Sequence, residues 1–195
     1  IQMLNGLMKP TSGTVYFQEE DVWAKKYDRR NLRANVGLVF QYPEYQLFEE
    51  TVEKDIAFGP KNMGLNEDEI ARRVKEAMDV TGLSDKLRNK SPFELSGGQK
   101  RRVAIAGILA MRPRVLILDE PTAGLDPKGC NEILANVRAY QKEESATVIL
   151  VSHSMEDIAA NAGRVMVLER GNLKMFDDTR SVFARGEELL AMGLN

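Results

Sequence analysis

The chain has 195 residues, 43% of them hydrophobic and 29% charged, a balance typical of one globular domain with a single sizeable core. Its formal net charge of −2 disfavours nucleic-acid binding, which needs a basic surface. The lone cysteine, Cys130, excludes an internal disulfide framework. No secretory signal is recognisable, and no apolar run approaches the roughly 20 residues of a membrane-spanning helix. Any membrane role would therefore be peripheral.

Apolar, β-branched runs predict the strands of this chain. The later runs are apolar almost throughout, which favours strands buried on both faces of a parallel sheet. Helical segments separate these later strands, as in an α/β fold. The predicted strands cover residues 14–17, 36–40, 115–118, 147–151 and 164–168.

Two helix starts can be read from capping residues. Asn66 precedes a helix predicted over residues 67–81, with Gly82 as its stop signal. Ser96 opens a second helix, because Gln99 three residues later completes a Ser-x-x-Gln capping box.

The later helix signals set the domain organisation. The helix after Ser96 should end before Pro113, and Asp126 followed by Pro127 indicates the N-cap of another helix. Residues 60–112 look mainly helical between strand-rich stretches. We therefore predict one domain over residues 1–195, with an inserted helical subdomain at 60–112.

Polar side chains follow three of the predicted strands. Gln41 follows the run 36–40, Asp119 and Glu120 follow 115–118, and His153 comes shortly after 147–151. Strand carboxyl ends share one edge of a parallel sheet, where ligands bind. A lone histidine or glutamine there is usually structural, but two adjacent carboxylates after a buried strand need a cation or donors to compensate them. The coincidence favours a site at this edge.

The helix that starts at Ser96 adds a possible anion-binding element. A helix N-terminus presents free N–H groups and a partial positive charge, and Gly97 and Gly98 would let an anion approach the backbone. A capped helix after a flexible turn explains the same residues equally well.

Longer strings give a specific resemblance. In order and spacing they resemble the ATP-binding cassette (ABC) ATPase family, which implies a P-loop NTPase-like α/β core with a mostly parallel sheet and an inserted helical subdomain. The strings are Leu95-Ser-Gly-Gly-Gln99-Lys-Arg-Arg102, Leu116-Ile-Leu-Asp119-Glu120-Pro-Thr122, Gly124-Leu-Asp126 and Val151-Ser-His153.

The resemblance implies a role for each candidate residue, with ATP and Mg²⁺ as cofactors. Asp119 would hold Mg²⁺, Gln41 would lie near the metal and the attacking water, Glu120 would act as general base, and His153 would lie at the γ-phosphate. The signature residues of the family are Ser96, Gly97, Gly98 and Gln99, and they would serve the ATP bound to a partner subunit. Asp126 would lie at the dimer interface.

A narrower resemblance lies in residues 40–60. The string Phe40-Gln-Tyr-Pro-Glu-Tyr-Gln-Leu-Phe48, with Thr51-Val52 and the run 55–60, is similar to the ATPase subunits of energy-coupling-factor importers for vitamins or metals such as cobalt. Segments 101–107 and 123–128 look most like the second of their two paralogous ATPases. The implied partners are a second ATPase subunit, identical or paralogous, a transmembrane coupling subunit that touches the segment after Gln41, and a membrane component that binds substrate. The implied location is the cytoplasmic face of the membrane.

The sequence departs from the family pattern in the loop that binds the phosphates of ATP. The sequence has no Gly-x-x-x-x-Gly-Lys-Ser/Thr loop, the string that cradles them. Residues 1–8 resemble the helix that follows that loop. We therefore expect an N-terminally truncated chain that lacks the loop and the first strands of its sheet, that looks shortened after Asn195, and that is inactive by itself.

Three alternatives remain open on the sequence. The chain could be the ATPase of another ABC importer class, although the segment 42–48 argues against it. It could be a non-transport ABC protein acting on DNA or ribosomes, although neither long coiled-coil insertions nor tandem cassettes occur here and the charge is unfavourable. It could also be a non-catalytic fragment that serves only as a scaffold.

Overall fold

A computed structural model describes residues 1–194 as two compact units, Ile1–Ile149 and the residues from 150 onward. The helices are α1 (Arg29–Asn35), α2 (Val52–Asn62), α3 (Glu67–Val80), α4 (Gly97–Leu109), α5 (Pro127–Glu144), α6 (Met155–Asn161), α7 (Thr179–Phe183) and α8 (Gly186–Ala191). The strands are β1 (Tyr16–Phe17), β2 (Glu20–Asp21), β3 (Val36–Val39), β4 (Val115–Asp119), β5 (Thr147–Val151), β6 (Arg164–Glu169) and β7 (Asn172–Asp178). None of the described helices is long and apolar enough to cross a membrane. The prediction of a single domain stays a prediction.

The central sheet has the strand order β3-β4-β5. β3 and β4 run parallel, with Val36 opposite Val115 and Val39 opposite Leu118. All of β3 is buried, and Leu118 in β4, the middle strand, has no exposed surface. This confirms the buried parallel strands expected from the apolar runs at 36–40 and 115–118.

The strand predicted at 164–168 forms, but its predicted environment was wrong. β6 pairs antiparallel with β7 in a two-stranded hairpin, and it alternates between buried and exposed residues. Val167 and Met175 are buried, whereas Met166 is more than half exposed. The antiparallel hairpin has one covered face, so an apolar run can be half exposed.

The predicted strand at 14–17 is reduced to β1, which pairs with β2 in a short antiparallel ladder. Val22, which follows β2, is fully buried and packs with Leu32 of α1 and Ile117 of β4. The short ladder therefore lies against the same core as the sheet.

A helical layer built from α2, α3 and α4 follows β3 in the chain and precedes β4. Its shared core runs from Leu47 to Ala110 and includes Ile56, Val74 and Val103, each with at most 1% of its surface exposed. This core begins before residue 60, which lies inside α2. The inserted subdomain at 60–112 stays a prediction, but helical packing in this region starts earlier in the chain.

The capping residues act as predicted. The Asn66 side chain accepts a hydrogen bond from the Glu69 amide at 2.9 Å, and Gly82 after α3 has a φ of +66°. Ser96 and Gln99 form the reciprocal capping box. Asp126 accepts from the Gly129 amide at 3.1 Å. Each cap satisfies an amide that the first turn of its helix would leave unpaired.

Residues 1–8 form turns rather than the predicted helix. The Leu7 amide donates to Gln2 O at 3.0 Å and the Gly6 amide to Met3 O at 3.3 Å, with Gly6 at a φ of +69°. This is the Schellman pattern that ends a helix. The predicted helix is therefore present here only as the turns of a helix end, which the left-handed Gly6 and its two hydrogen bonds close.

Candidate nucleotide site

Gln41, Asp119 and Glu120 leave the sheet at one edge. Because Val39 lies opposite Leu118 in the parallel pair, Gln41 and Glu120 come two residues later on neighbouring strands. Asp119 is the last residue of β4. Asp119 and Glu120 are half-buried, and Gln41 is exposed. The register therefore brings an amide and two carboxylates to the carboxyl edge, as the strand pattern predicted.

Both strand exits turn through a left-handed residue. Tyr42 has a φ of +57° and Glu120 a φ of +49°, and neither is a glycine. Such a conformation costs about 1–2 kcal/mol for an L-residue. It persists only where the surroundings enforce it, which is common at functional sites. The apolar strand patterns gave no signal of these turns.

The oxygen donors at this edge suit a hard divalent cation. Mg²⁺ takes one or two protein carboxylates and fills its remaining positions with water and phosphate oxygens. Asp119 with Gln41 matches that demand. Within residues 1–194 no cluster of three or more His, Cys, Asp or Glu side chains forms a metal cage.

The signature residues form the N-terminus of α4. The Ser96 amide donates to the Gln99 side chain at 3.1 Å, and the Gln99 amide donates to the Ser96 hydroxyl at 3.4 Å. Within residues 1–194, a Cβ added at Gly97 or Gly98 would meet no atom within 4 Å. The packing of these described residues therefore does not require glycine at either position.

The loop between β4 and α5 is built from successive tight turns. The Ala123 amide donates to Glu120 O and the Leu125 amide to Thr122 O, each at 3.1 Å. The loop ends at Asp126, whose carboxylate caps α5. In this chain Asp126 therefore has a structural role, and its place at a dimer interface remains a prediction.

The arginine that organises this region was missed as a site residue. Arg101 has a side chain only 4% exposed and pairs with Glu44 through two bonds of 3.0 and 3.1 Å. It also donates to the Ala123 carbonyl and lies 5.9 Å from the centroid of the Tyr42 ring. A signal existed in the sequence, because Arg101 lies in helical phase with the buried Ile105 of α4.

His153 lies in the second unit, two residues beyond β5 and just before α6. The Ser154 amide donates to the Ser152 hydroxyl at 3.0 Å, and the Ser154 hydroxyl accepts from the Asp157 amide at 3.2 Å. These bonds make Ser154 the N-cap of α6. The convergence of His153 with the carboxylates remains a prediction.

A groove of about 750 Å³ lies in the first unit, close to the segment after Gln41. It is lined by residues of α1, α2 and α4 and by the residues 46–48. Phe48 and Phe58 meet edge to face in it, with ring centroids 4.8 Å apart, and both remain about half exposed. Asp55, which also lines the groove, accepts a hydrogen bond from the Glu49 amide at 3.1 Å, and burial raises the pKa of its carboxyl.

The ABC transporter family model matches residues 1–123, which include the signature and the Asp119-Glu120 strand. The chain belongs to the ABC transporter ATPases. Its fold agrees, because it is similar to a structure of cbiO1 from Clostridium perfringens, described as part of the ABC transporter complex cbiONQ. The TM-score is 0.84 at 41% identity, over 100% of this chain and 77% of that one. The predicted α/β ABC ATPase fold is thereby confirmed.

Within the ABC ATPases the chain is of the EcfA2 type. It is 58% identical over 195 residues to the energy-coupling factor transporter ATP-binding protein EcfA2 of Caldanaerobacter subterraneus subsp. tengcongensis, and 57% identical to that of Clostridium tetani. It covers 68% of the length of each. This confirms the narrower resemblance found in residues 40–60.

A second solved ABC ATPase is similar at a greater distance. The chain matches the cassette MJ0796 with a TM-score of 0.78 and 27% identity, over 92% of this chain and 78% of that one. That structure is described as a dimer in a post-hydrolysis state bound to ADP and Pi.

Proposed function

We propose that this chain is the ATP-hydrolysing subunit of an energy-coupling-factor importer, which powers uptake of a vitamin or a metal ion. The observation that carries the proposal is the identity of 58% with an EcfA2 protein across the whole chain. The parallel register of β3 and β4 supports it, since it gathers Gln41, Asp119 and Glu120 at one edge. The placement of these three residues depends only on β3 and β4, which both belong to the first unit.

The carboxylates divide the work of phosphoryl transfer. In our proposal Asp119 holds Mg²⁺ together with Gln41, and Mg²⁺ when bound neutralises charge on the phosphate oxygens. Glu120, the next residue, acts as general base toward the attacking water, because its carboxylate leaves the same strand end. His153 acts as a donor to the γ-phosphate. Phosphoryl transfer needs mainly such positioning and charge stabilisation.

The signature helix serves a nucleotide held by another subunit. Ser96, Gly97, Gly98 and Gln99 present the N-terminus of α4 into open space, which suits an anionic group approaching from outside the chain. Asp126 would then face the partner across the dimer interface. We propose that the partner is a second ATPase subunit, identical or paralogous.

The groove beside Phe48 and Phe58 is the proposed docking surface for the transmembrane coupling subunit. An exposed aromatic pair in a concave, mostly apolar surface is typical of interface anchors. The subunit would in this way lie on the cytoplasmic face of the membrane, and a separate membrane component would bind the substrate.

The decisive experiment uses the full-length protein in its assembled transporter. Glu120→Gln should abolish ATP turnover and preserve ATP-induced dimers, because the amide keeps the shape but accepts no proton. Glu143→Gln, on the exposed surface of α5, is the matched control and should leave turnover unchanged. Near-normal hydrolysis in Glu120→Gln would disprove the assignment of the base.

The importer assignment has its own test. Replacing Phe58 by Asp should prevent co-purification with the membrane subunits, while ATP turnover of the free subunit persists. Retained co-purification would argue for a different docking surface. Co-purification with DNA or ribosomes in place of membrane subunits would favour the non-transport alternative.

We also propose that the 195-residue polypeptide alone does not hydrolyse ATP, since no Gly-x-x-x-x-Gly-Lys-Ser/Thr loop occurs among these residues. A phosphate-release assay with the purified polypeptide should stay at background. Turnover that disappears in its Glu120→Gln variant would refute this.

A further inference from the structure

Arg101 is a buried cation that bonds to two segments next to candidate site residues. It lies in the second turn of α4, two residues after Gln99, and its side chain is 4% exposed. Its Nε and Nη2 donate to the two carboxylate oxygens of Glu44, and Nη1 donates to the Ala123 carbonyl. The planar guanidinium suits this forked arrangement, which lysine cannot reproduce.

Stability alone does not account for such a group. Burying an ion pair carries a desolvation penalty that often equals or exceeds its attraction, and apolar residues of similar size can replace such pairs without loss. Arg101 also lies in phase with the buried Ile105 and Leu109, where an apolar side chain would pack against the core. The retained charge therefore points to a role in placing its partners.

The partners belong to the segments that carry the candidate site residues. Glu44 lies in the 3₁₀ turn Pro43–Gln46, directly after Gln41 and the left-handed Tyr42. Ala123 lies three residues after Glu120, in the loop that leads to Asp126. Arg101 itself is anchored in the helix that the signature residues begin.

We propose that Arg101 is a positioning residue that holds the segment after Gln41 and the loop after Glu120 in fixed places against the signature helix. One side chain thus ties the metal and water side of one site to the helix that serves the other site. The 3₁₀ turn that holds Glu44 is followed directly by Leu47 and Phe48, which line the groove. By fixing this turn, Arg101 would also help to position the proposed docking surface. This inference rests on the proposed ATPase function.

A positioning role predicts a particular kinetic effect. Arg101 touches no candidate reacting group, so its replacement should change the affinity for ATP little. The segment after Gln41 and the loop after Glu120 should, however, be held less firmly around the proposed metal and water. Arg101→Lys keeps the charge and loses the fork. We expect its kcat to fall about tenfold, with KM for ATP within about twofold of the parent.

The experiment measures ATP turnover, KM and thermal unfolding of the full-length protein in its assembled transporter. The variants are Arg101→Lys, Glu44→Gln and the double replacement Arg101→Met with Glu44→Leu, which removes both charges and keeps the core filled. Arg102→Lys is the matched control on the same helix. Arg102 bonds Glu132 and the Thr81 carbonyl, and its variant should keep kcat within about twofold.

The outcomes separate this inference from the function it rests on. The proposal is supported if the folded variants lose kcat without a matching change in KM, and above all if the apolar double variant unfolds like the parent and still turns over slowly. It is overturned if any folded variant keeps kcat within about twofold, or if none of the three folds, because the pair would then serve stability only. A parent protein without ATPase activity would instead refute the proposed function.

Discussion

The close approach of α4 to the sheet at Gly37 leads to a prediction of unfolding free energy. Gly37 lies in β3, and a Cβ built there would be 2.7 Å from Ile108 Cγ2 and 3.0 Å from Pro113 Cγ. Carbon atoms in contact prefer about 3.5–4.0 Å. The β-branched Ile108 and the proline ring have little freedom to move away. Gly37→Ala should therefore strain the junction between strand and helix.

Gly107 provides the matched control on the facing helix. A Cβ there would lie 3.7 Å from the Asp55 carbonyl oxygen and 3.9 Å from Ile56 Cα, which are ordinary contact distances. Gly107 lies inside α4, where alanine is favoured over glycine by about 0.5–1 kcal/mol. Gly107→Ala should therefore stabilise the protein by that amount.

The two variants thus change stability in opposite directions. Overpacking of this kind costs about 1–3 kcal/mol, so Gly37→Ala should lower the free energy of unfolding by about 2 kcal/mol. For a protein of this size that corresponds to a Tm lower by about 4–8 °C. Urea unfolding followed by circular dichroism measures both variants. Equal or greater stability of Gly37→Ala would show that Ile108 and Pro113 relax freely, and would refute the reasoning.

Three further predictions concern single contacts. Tyr140→Phe removes the buried hydroxyl that donates to Pro113 O at 3.1 Å and should destabilise the protein by about 1 kcal/mol in urea unfolding, whereas unchanged stability would mean that the carbonyl finds another donor. Ser96→Ala removes the acceptor of the capping box and should cost about 1 kcal/mol by the same assay, and unchanged stability would contradict this. Arg73, with a smaller contribution from the neighbouring arginine, lowers the pKa of Glu69 from 4.5 to about 2. The stability that this carboxylate provides is present above pH 4.5 and is lost as the pH falls toward about 2. In the Glu69→Gln variant the free energy of unfolding should therefore depend less on pH between 4.5 and about 2. The same pH dependence in the variant and the parent would contradict this.

Local signals predicted the elements that hold the candidate site. The Ser96 and Asp126 caps and the apolar strands β3 and β4 each depend on neighbours within a few residues, and all of them formed as expected. The placement of Gln41 and the two carboxylates at one edge of the β3–β4 pair followed from one rule about parallel strands. Local signals for the strands, together with this rule, were sufficient to predict that placement.

Other features depend on contacts that are distant in sequence. Arg101 and Glu44 are 57 residues apart, so no window of sequence shows that they pair. β7 was not predicted because it contains charged residues such as Lys174 and Asp177 and buries only one residue, Met175. Its sequence therefore lacks the apolar pattern of a strand. The same strand decided that β6 forms a half-exposed hairpin rather than part of the parallel sheet. These features are set by tertiary partners and not by local propensity.

The glycines of this chain separate packing from function. At Gly37 the missing side chain is explained within the chain, because Ile108 and Pro113 occupy its place. At Gly97 and Gly98 no atom of the described residues lies within 4 Å of where a Cβ would be, although glycine in the first turn of a helix lowers its stability. The packing of residues 1–194 therefore does not account for these two glycines. Our proposal that they face a nucleotide held by a partner subunit would account for them.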